Sequence, residues 1–153
     1  MKKICSMFVG LLEKFESFSL LFFRLVLAYG FYEPAMKKLG NTSNIAKWFE
    51  SMNFIYPMLN AYLVTTVETL GIFLLFLGLG TRLISLPLMV IMVVAIATVH
   101  WSSGFEARNN GFEIPLYYLL MLFSLFVRGG GKISVDFWLC CKNKAACCRD
   151  HAE

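Results

Sequence analysis

Two residues of opposite charge, Arg24 and Glu68, occur in long apolar stretches of the chain. A charged side chain inside a membrane is costly, so each marks a candidate functional site. Glu68 lies near the middle of residues 62–81, which can span a bilayer at about 1.5 Å per residue. Arg24 lies within residues 18–32, too deep to reach the headgroups easily. Antiparallel helices would bring both charges to a similar depth, and we therefore predict an ion pair between Arg24 and Glu68.

Helical spacing gives each of these charges a face of small or apolar neighbours. On the second stretch, the small residues beside Glu68 would let a neighbouring backbone approach closely, and Thr65 adds a hydroxyl one turn away. The two predicted faces are Leu20, Leu21, Arg24, Ala28, Phe31 and Ala35, and Ala61, Thr65, Glu68, Gly71, Leu75 and Gly78. Two interpretations stay open: a pair that only fixes helix register, or the floor of a polar pocket for a proton, a quinone or a small anion.

A second set of polar residues is predicted on the outer side of the bundle, which is the side away from the two chain termini. Glu33 and Lys37 follow the first apolar stretch, His100 and Trp101 end the third, and Glu113 precedes the fourth. Histidine with carboxylates can bind Zn²⁺ or Cu²⁺ or relay protons, so His100 and Glu113 are candidate metal ligands. No metal motif of fixed spacing is present, and the alternative is that these side chains simply face the headgroups.

Four of the five cysteines form the pattern CC-x5-CC near the end of the sequence, at Cys140, Cys141, Cys147 and Cys148. Four thiolates can bind Cu(I) or Zn²⁺. Adjacent cysteines lack the CxxC geometry, however, so a tail without metal is the alternative. The predicted topology places them in the reducing cytoplasm, where a structural disulfide is not expected.

The composition predicts the elements that must position these residues. The chain of 153 residues is 58% hydrophobic and 16% charged, with a mean hydropathy of +0.66, which is typical of a membrane protein and not of a soluble domain. The apolar stretches 18–32, 62–81, 83–100 and 114–127 predict an all-α integral membrane bundle of four transmembrane helices.

The connecting segments complete the predicted organisation. Pro34 predicts the end of the first helix or a kink. The outer loop 35–60 is predicted to carry a short interfacial helix near residues 45–52. We divide the chain into an interfacial lead-in (1–17), the membrane domain (18–139) and a cysteine-rich basic tail (140–153).

The distribution of basic residues predicts the orientation of the bundle. Nine of the 14 Lys and Arg side chains fall on the side of the termini, four fall on the other side, and Arg24 is buried. By the positive-inside rule both termini lie in the cytoplasm. The excess of basic residues is then a membrane-surface feature, and nucleic acid is not expected as a partner.

Several motifs together resemble the DoxX family of small four-helix bacterial membrane proteins. They are RLVLAYGFYEPAMKKL (24–39), AYLVTTVETLGIFLLFLGLGTRL (61–83), AIATVHW (95–101) and GGGKISVD (129–136). Family members typically have an arginine in the first helix, a glutamate in the second and a Gly-x-Gly-x-x-Ser-x-Asp ending. These positions fall on Arg24, Glu68, Gly129, Gly131, Ser134 and Asp136.

The resemblance implies a bacterial inner-membrane protein associated with redox chemistry. The pattern VHWSSGF (99–105) is similar to members grouped with maturation of copper-binding peptides. We therefore expect an accessory protein in redox- or copper-linked maturation or stress handling, working with another membrane or periplasmic protein, rather than a stand-alone enzyme. The alternatives are a quinone-interacting subunit of a membrane oxidoreductase and a small transporter. Copper and quinone are the candidate cofactors, and formation of a homo-oligomer stays open.

Overall fold

The protein is a bundle of α-helices, seen here in a computed structural model that describes residues 2–52 and 54–142, with side chains described for 15–52 and 54–139. The helices are α1 (Lys2–Gly40), α2 (Thr42–Ser51), α3 (Pro57–Leu77), α4 (Thr81–Ala95), α5 (Glu113–Arg128) and α6 (Val135–Lys142). A π-helical turn, Ile96–His100, extends α4. Short 3₁₀ turns, Trp101–Ser103 and Ala107–Asn109, lie in the connection to α5. The predicted helical membrane bundle is thus confirmed.

Three helical segments in the described part of the chain are long and apolar enough to cross a membrane. They are Phe15–Gly40, Pro57–Leu77 and Thr81–Ser103. The fourth predicted membrane helix is present as α5, but its 16 residues rise only about 24 Å, less than the roughly 30 Å of the hydrocarbon core. Helix α5 packs along α4 and also contacts α1, so it completes the bundle.

The first helix is longer than its sequence suggested. Pro34 was predicted to end or kink it, but α1 continues through Pro34 to Gly40. A proline in a helix removes one backbone hydrogen bond, here the bond to the Gly30 carbonyl, and neighbouring helices can compensate for that loss in a membrane. At its other end α1 runs unbroken through residues 17–18, where the lead-in was expected to meet the membrane domain. The short helix expected in the outer loop is α2.

The two predicted faces pack into the bundle. Ala61, Thr65, Glu68, Gly71 and Leu75 are the buried residues of α3, and Leu20, Arg24, Ala28, Phe31 and Ala35 are buried on α1. A Cβ added at Gly71 would lie 3.0 Å from the Leu88 side chain, so this glycine lets α3 and α4 approach closely. Leucines from all four long helices fill the core between them, Leu27, Leu75, Leu88, Leu122 and Leu125.

The end of the described chain contains a helix that the sequence did not predict. After α5, a glycine-rich turn leads into α6. Cys140 and Cys141 lie in α6, where the structure describes their backbone but not their side chains. Cys147 and Cys148 lie outside the described residues altogether, so the predicted thiolate site stays a prediction.

Candidate functional site

Arg24 connects three parts of the chain through backbone carbonyls. Its guanidinium donates to Leu75 and Phe76 at the end of α3, at 2.8 and 3.0 Å. It also donates to Gly130 and Ile133 in the turn before α6, at 3.1 and 2.8 Å. Arg24 is only 1% exposed, and the planar guanidinium with its five donors suits four acceptors in one place. The last carbonyls of α3 also form the negative end of its dipole, which favours a cation there.

Asp136 bonds the start of α4, as Arg24 bonds the end of α3. Its two carboxylate oxygens accept from the amides of Gly80 and Thr81, at 2.8 and 3.1 Å. These amides belong to the first turn of α4, where helix N–H groups lack internal partners and a negative charge is stabilised. Ser134 caps α6 in a similar way, because its hydroxyl accepts from the Phe137 amide at 3.2 Å. The motifs of Arg24 and of residues 129–136 therefore build one structural junction.

The predicted ion pair between Arg24 and Glu68 is wrong. Arg24 bonds the carbonyl of Leu75, which follows Glu68 by seven residues and therefore lies about 10 Å further along α3. The sequence argument placed both charges near mid-membrane, but the guanidinium reaches the C-terminal end of α3, where it bonds the Leu75 and Phe76 carbonyls. Its hydrogen-bonding capacity is met by backbone oxygens, a solution that residue types alone do not show.

Glu68 instead forms an ion pair with Lys38, near the end of α1. The Lys38 ammonium lies 2.6 Å from both carboxylate oxygens. The Glu68 side chain is 3% exposed and that of Lys38 is 21% exposed. The glutamate is therefore enclosed by the bundle, whereas the lysine reaches it from the rim. The pair is neutral overall, and losing Lys38 would leave the enclosed Glu68 carboxylate uncompensated.

The ion pair forms part of the wall of a cavity of about 550 Å³ at the α2 end of the bundle, where α1 ends and α3 and α5 begin. All the helices from α1 to α5 contribute to its lining, which is mostly apolar. Five of the lining residues have large aromatic rings, Phe31, Trp48, Phe49, Phe54 and Tyr118. Small-molecule sites are typically 300–1,000 Å³ in volume, apolar, and supplied with a few polar groups. This cavity fits that description.

His100 contributes to the same cavity, at the end of the π-helical turn. Its Nδ1 lies 2.6 Å from the Asn110 carbonyl oxygen, which can only accept. Nδ1 therefore carries hydrogen, and in a neutral ring Nε2 is left as an acceptor or a metal ligand. Single π-helical turns in α-helices are frequently found at functional sites.

The other predicted site residues do not join His100 and Glu68 in the cavity lining. Thr65 is buried next to Glu68, but its hydroxyl donates to the Ala61 carbonyl at 2.7 Å within α3. Glu33 and Lys37 pair with each other at 2.6 Å on the exposed side of α1.

Trp101 and Glu113 have contacts of their own near the start of α5. Trp101 stacks on Phe112, with ring centroids 5.9 Å apart. Glu113 accepts from the Ala107 amide at 3.0 Å and from the Tyr117 hydroxyl at 3.1 Å. Within the described residues, no group of three or more His, Cys, Asp or Glu side chains is arranged to hold a metal ion.

Among the cavity residues that sequence reasoning missed are Lys38 and Tyr118. Lys38 was assigned to an outer loop because Pro34 was expected to end α1. Gly30, Pro34 and Lys38 follow one another at intervals of four, so a continuous helix would have placed all three on one face. Nothing in the sequence marked Tyr118 as a site residue, because a single tyrosine in an apolar helix is common.

The fold and the cavity define a class: a helical membrane protein with a ligand-sized cavity at one end of its bundle. The family model of DoxX matches residues 19–101, which include Arg24, Lys38, Glu68 and His100. A protein of Haemophilus influenzae described as "Uncharacterized protein" is 32% identical over 126 residues, covering 77% of this chain and 81% of the relative. The chain belongs to the DoxX family. No solved structure matches it.

Proposed function

We propose that this DoxX protein is an accessory membrane protein that binds a lipid-soluble molecule of the quinone type in the α2-end cavity. The observation that carries the proposal is the cavity of about 550 Å³, with aromatic walls and the Lys38–Glu68 pair in its lining. An apolar ring system gains free energy by leaving water for such walls. The few polar groups would orient the ring oxygens.

The polar groups of the cavity suit a neutral ligand. Two of the three ammonium hydrogens of Lys38 meet the Glu68 oxygens, which leaves one hydrogen for an acceptor such as a quinone carbonyl. An anion would also meet the buried carboxylate, so the pair disfavours a charged head group. The Nε2 atom of His100 offers an acceptor for a hydroxyl, as in a reduced quinone. Electrons would come from a partner protein.

The orientation and compartment belong to the same proposal. The charge distribution favours a bacterial inner membrane with both termini cytoplasmic, so the α2 end would face outward. A partner in the membrane or periplasm would then meet the cavity on that side.

The alternative from the family resemblance is copper-linked maturation, with His100 as a metal ligand. The described residues support the quinone-type ligand better, because the cavity is formed by apolar walls and His100 is not joined there by two other metal ligands. Metal analysis of purified wild type and His100→Ala separates the two proposals. Copper retained by wild type and lost in the variant would favour the alternative.

Trp48 supplies a direct binding assay, because its ring lines the cavity. The chain has three tryptophans, and replacing Trp101 and Trp138 by Phe leaves Trp48 as the only one. In nanodiscs, we expect 2,3-dimethyl-1,4-naphthoquinone to quench Trp48 fluorescence with saturation. The same titration on a variant that keeps only Trp138 should give the linear quenching that partitioning into lipid produces. Linear quenching of both would refute the proposal.

A further inference from the structure

Tyr118 presents a phenol to the cavity from α5. Its ring packs against Phe31, with centroids 5.7 Å apart and an angle of 52° between the planes. Its hydroxyl lies against Gly30 of α1, where an added Cβ would overlap both the hydroxyl and the ring. The absence of a side chain at position 30 therefore makes the space in which the hydroxyl lies.

This hydroxyl has no hydrogen-bond partner among the residues that the structure describes. Its ring packs on Phe31 and its hydroxyl lies beside Gly30, whereas the other cavity hydroxyl, that of Thr98, donates to the Val94 carbonyl at 2.8 Å. A ligand with an acceptor at this place would give the hydroxyl a partner.

Lys38 also lines the cavity, from the same helix as Gly30. Gly30, Pro34 and Lys38 all line the cavity and fall on one face of α1, at intervals of one helical turn. One elongated molecule lying along this face can therefore meet both donors, the Tyr118 hydroxyl at one end and the ammonium at the other.

We propose that Tyr118 is the residue that determines ligand specificity in this cavity, by donating a hydrogen bond to a carbonyl oxygen of the bound molecule. The inference rests on the proposed function and adds the kind of molecule selected: an apolar ring system that carries a carbonyl. A hydrocarbon of the same shape would contact the apolar walls equally well but would leave the Tyr118 hydroxyl unpaired. Sites built to hydrogen-bond a ligand discriminate against analogues that lack the polar group.

Two probes of matched shape test this specificity, 2,3-dimethyl-1,4-naphthoquinone and 2,3-dimethylnaphthalene. The quinone is titrated by Trp48 quenching in nanodiscs, and the hydrocarbon is measured by its competition with the quinone. Tyr118→Phe removes only the hydroxyl. We expect it to weaken quinone binding about fivefold, the loss of one neutral hydrogen bond, and to leave hydrocarbon binding within about twofold of wild type.

Gly30→Ala provides an independent test because its methyl group takes the space of the Tyr118 hydroxyl. We expect the quinone to lose its advantage over the hydrocarbon. Gly40→Ala is the matched control on the same helix, since an added Cβ there meets nothing within 4 Å. It should bind both probes as wild type does.

The outcomes separate this inference from the proposed function. Saturable quinone binding that Tyr118→Phe leaves unchanged would overturn the role of Tyr118 and keep the cavity as a ligand site. An equal loss for both probes would also overturn it, because the hydroxyl would then act only on packing. Wild-type protein that binds neither probe would overturn the proposed function and this inference together.

Discussion

The Lys38–Glu68 pair predicts an unequal response to loss of its two members. In Lys38→Met the Glu68 carboxylate, 3% exposed, is left without its partner inside the bundle. Breaking a buried pair in this way costs about 3–5 kcal/mol of unfolding free energy. In Glu68→Gln the Lys38 side chain, 21% exposed, can turn toward solvent, so we expect a smaller loss of about 1–2 kcal/mol. The difference follows from the deeper burial of Glu68 and from the amide oxygen that Gln keeps.

The double variant Lys38→Met/Glu68→Gln separates a true pair from two independent residues. With both charges removed, no uncompensated charge is left, and the double variant should be more stable than Lys38→Met. The cycle should give a coupling energy of about 2 kcal/mol or more, measured by reversible unfolding in mixed detergent micelles.

The exposed pair on the other side of α1 supplies the control. Lys37 bonds Glu33 at the same 2.6 Å, but their side chains are 74% and 75% exposed. Lys37→Met should therefore cause no measurable change. Additive effects of the Lys38 and Glu68 substitutions, or equal effects of Lys38→Met and Lys37→Met, would refute the reasoning.

Two further substitutions test the remaining contacts. Arg24→Lys keeps the charge but cannot reach four carbonyls from a single ammonium, so we expect a loss of about 3 kcal/mol or more in unfolding free energy, and wild-type stability would contradict the junction. His100→Phe removes the bond to the Asn110 carbonyl, and we expect faster amide hydrogen exchange in residues 104–112 with a stability change of only about 1 kcal/mol. Unchanged exchange there would show that the bond does not hold this loop.

The sequence predicted which faces of the helices are buried, because helical spacing and small residues determine them directly. Arg24 and Glu68 were both correctly predicted to face the bundle interior. Their partners were not predictable, since backbone carbonyls carry no residue-type signal and any arginine can bond them. The structure also shows that two motifs far apart in the chain, around Arg24 and residues 129–136, meet at one junction.

Predicting the cavity required knowing where α1 ends, and helix propensity does not determine that. Whether a helix ends at a proline or continues depends on packing around the freed carbonyl, which is a tertiary property. Because α1 continues past Pro34, Lys38 reaches Glu68 instead of the outer surface. One wrong helix boundary therefore removed a cavity residue from the predicted site, while His100 and Glu68 were identified by their chemical types.

The central claim, that the α2-end cavity holds a quinone-type molecule, is tested most directly by what the protein carries from its own membrane. Ala95 lines the cavity, and Ala95→Phe would place a phenyl ring in it and leave less room for a ligand. Val93 is 50% exposed on the same helix and does not line the cavity, so Val93→Phe is the matched control. Each protein is purified in mild detergent, extracted with organic solvent and analysed by mass spectrometry. We expect a quinone in stoichiometric amount with wild type and Val93→Phe, and its loss from Ala95→Phe. Equal amounts in all three proteins, or none in wild type, would contradict the claim.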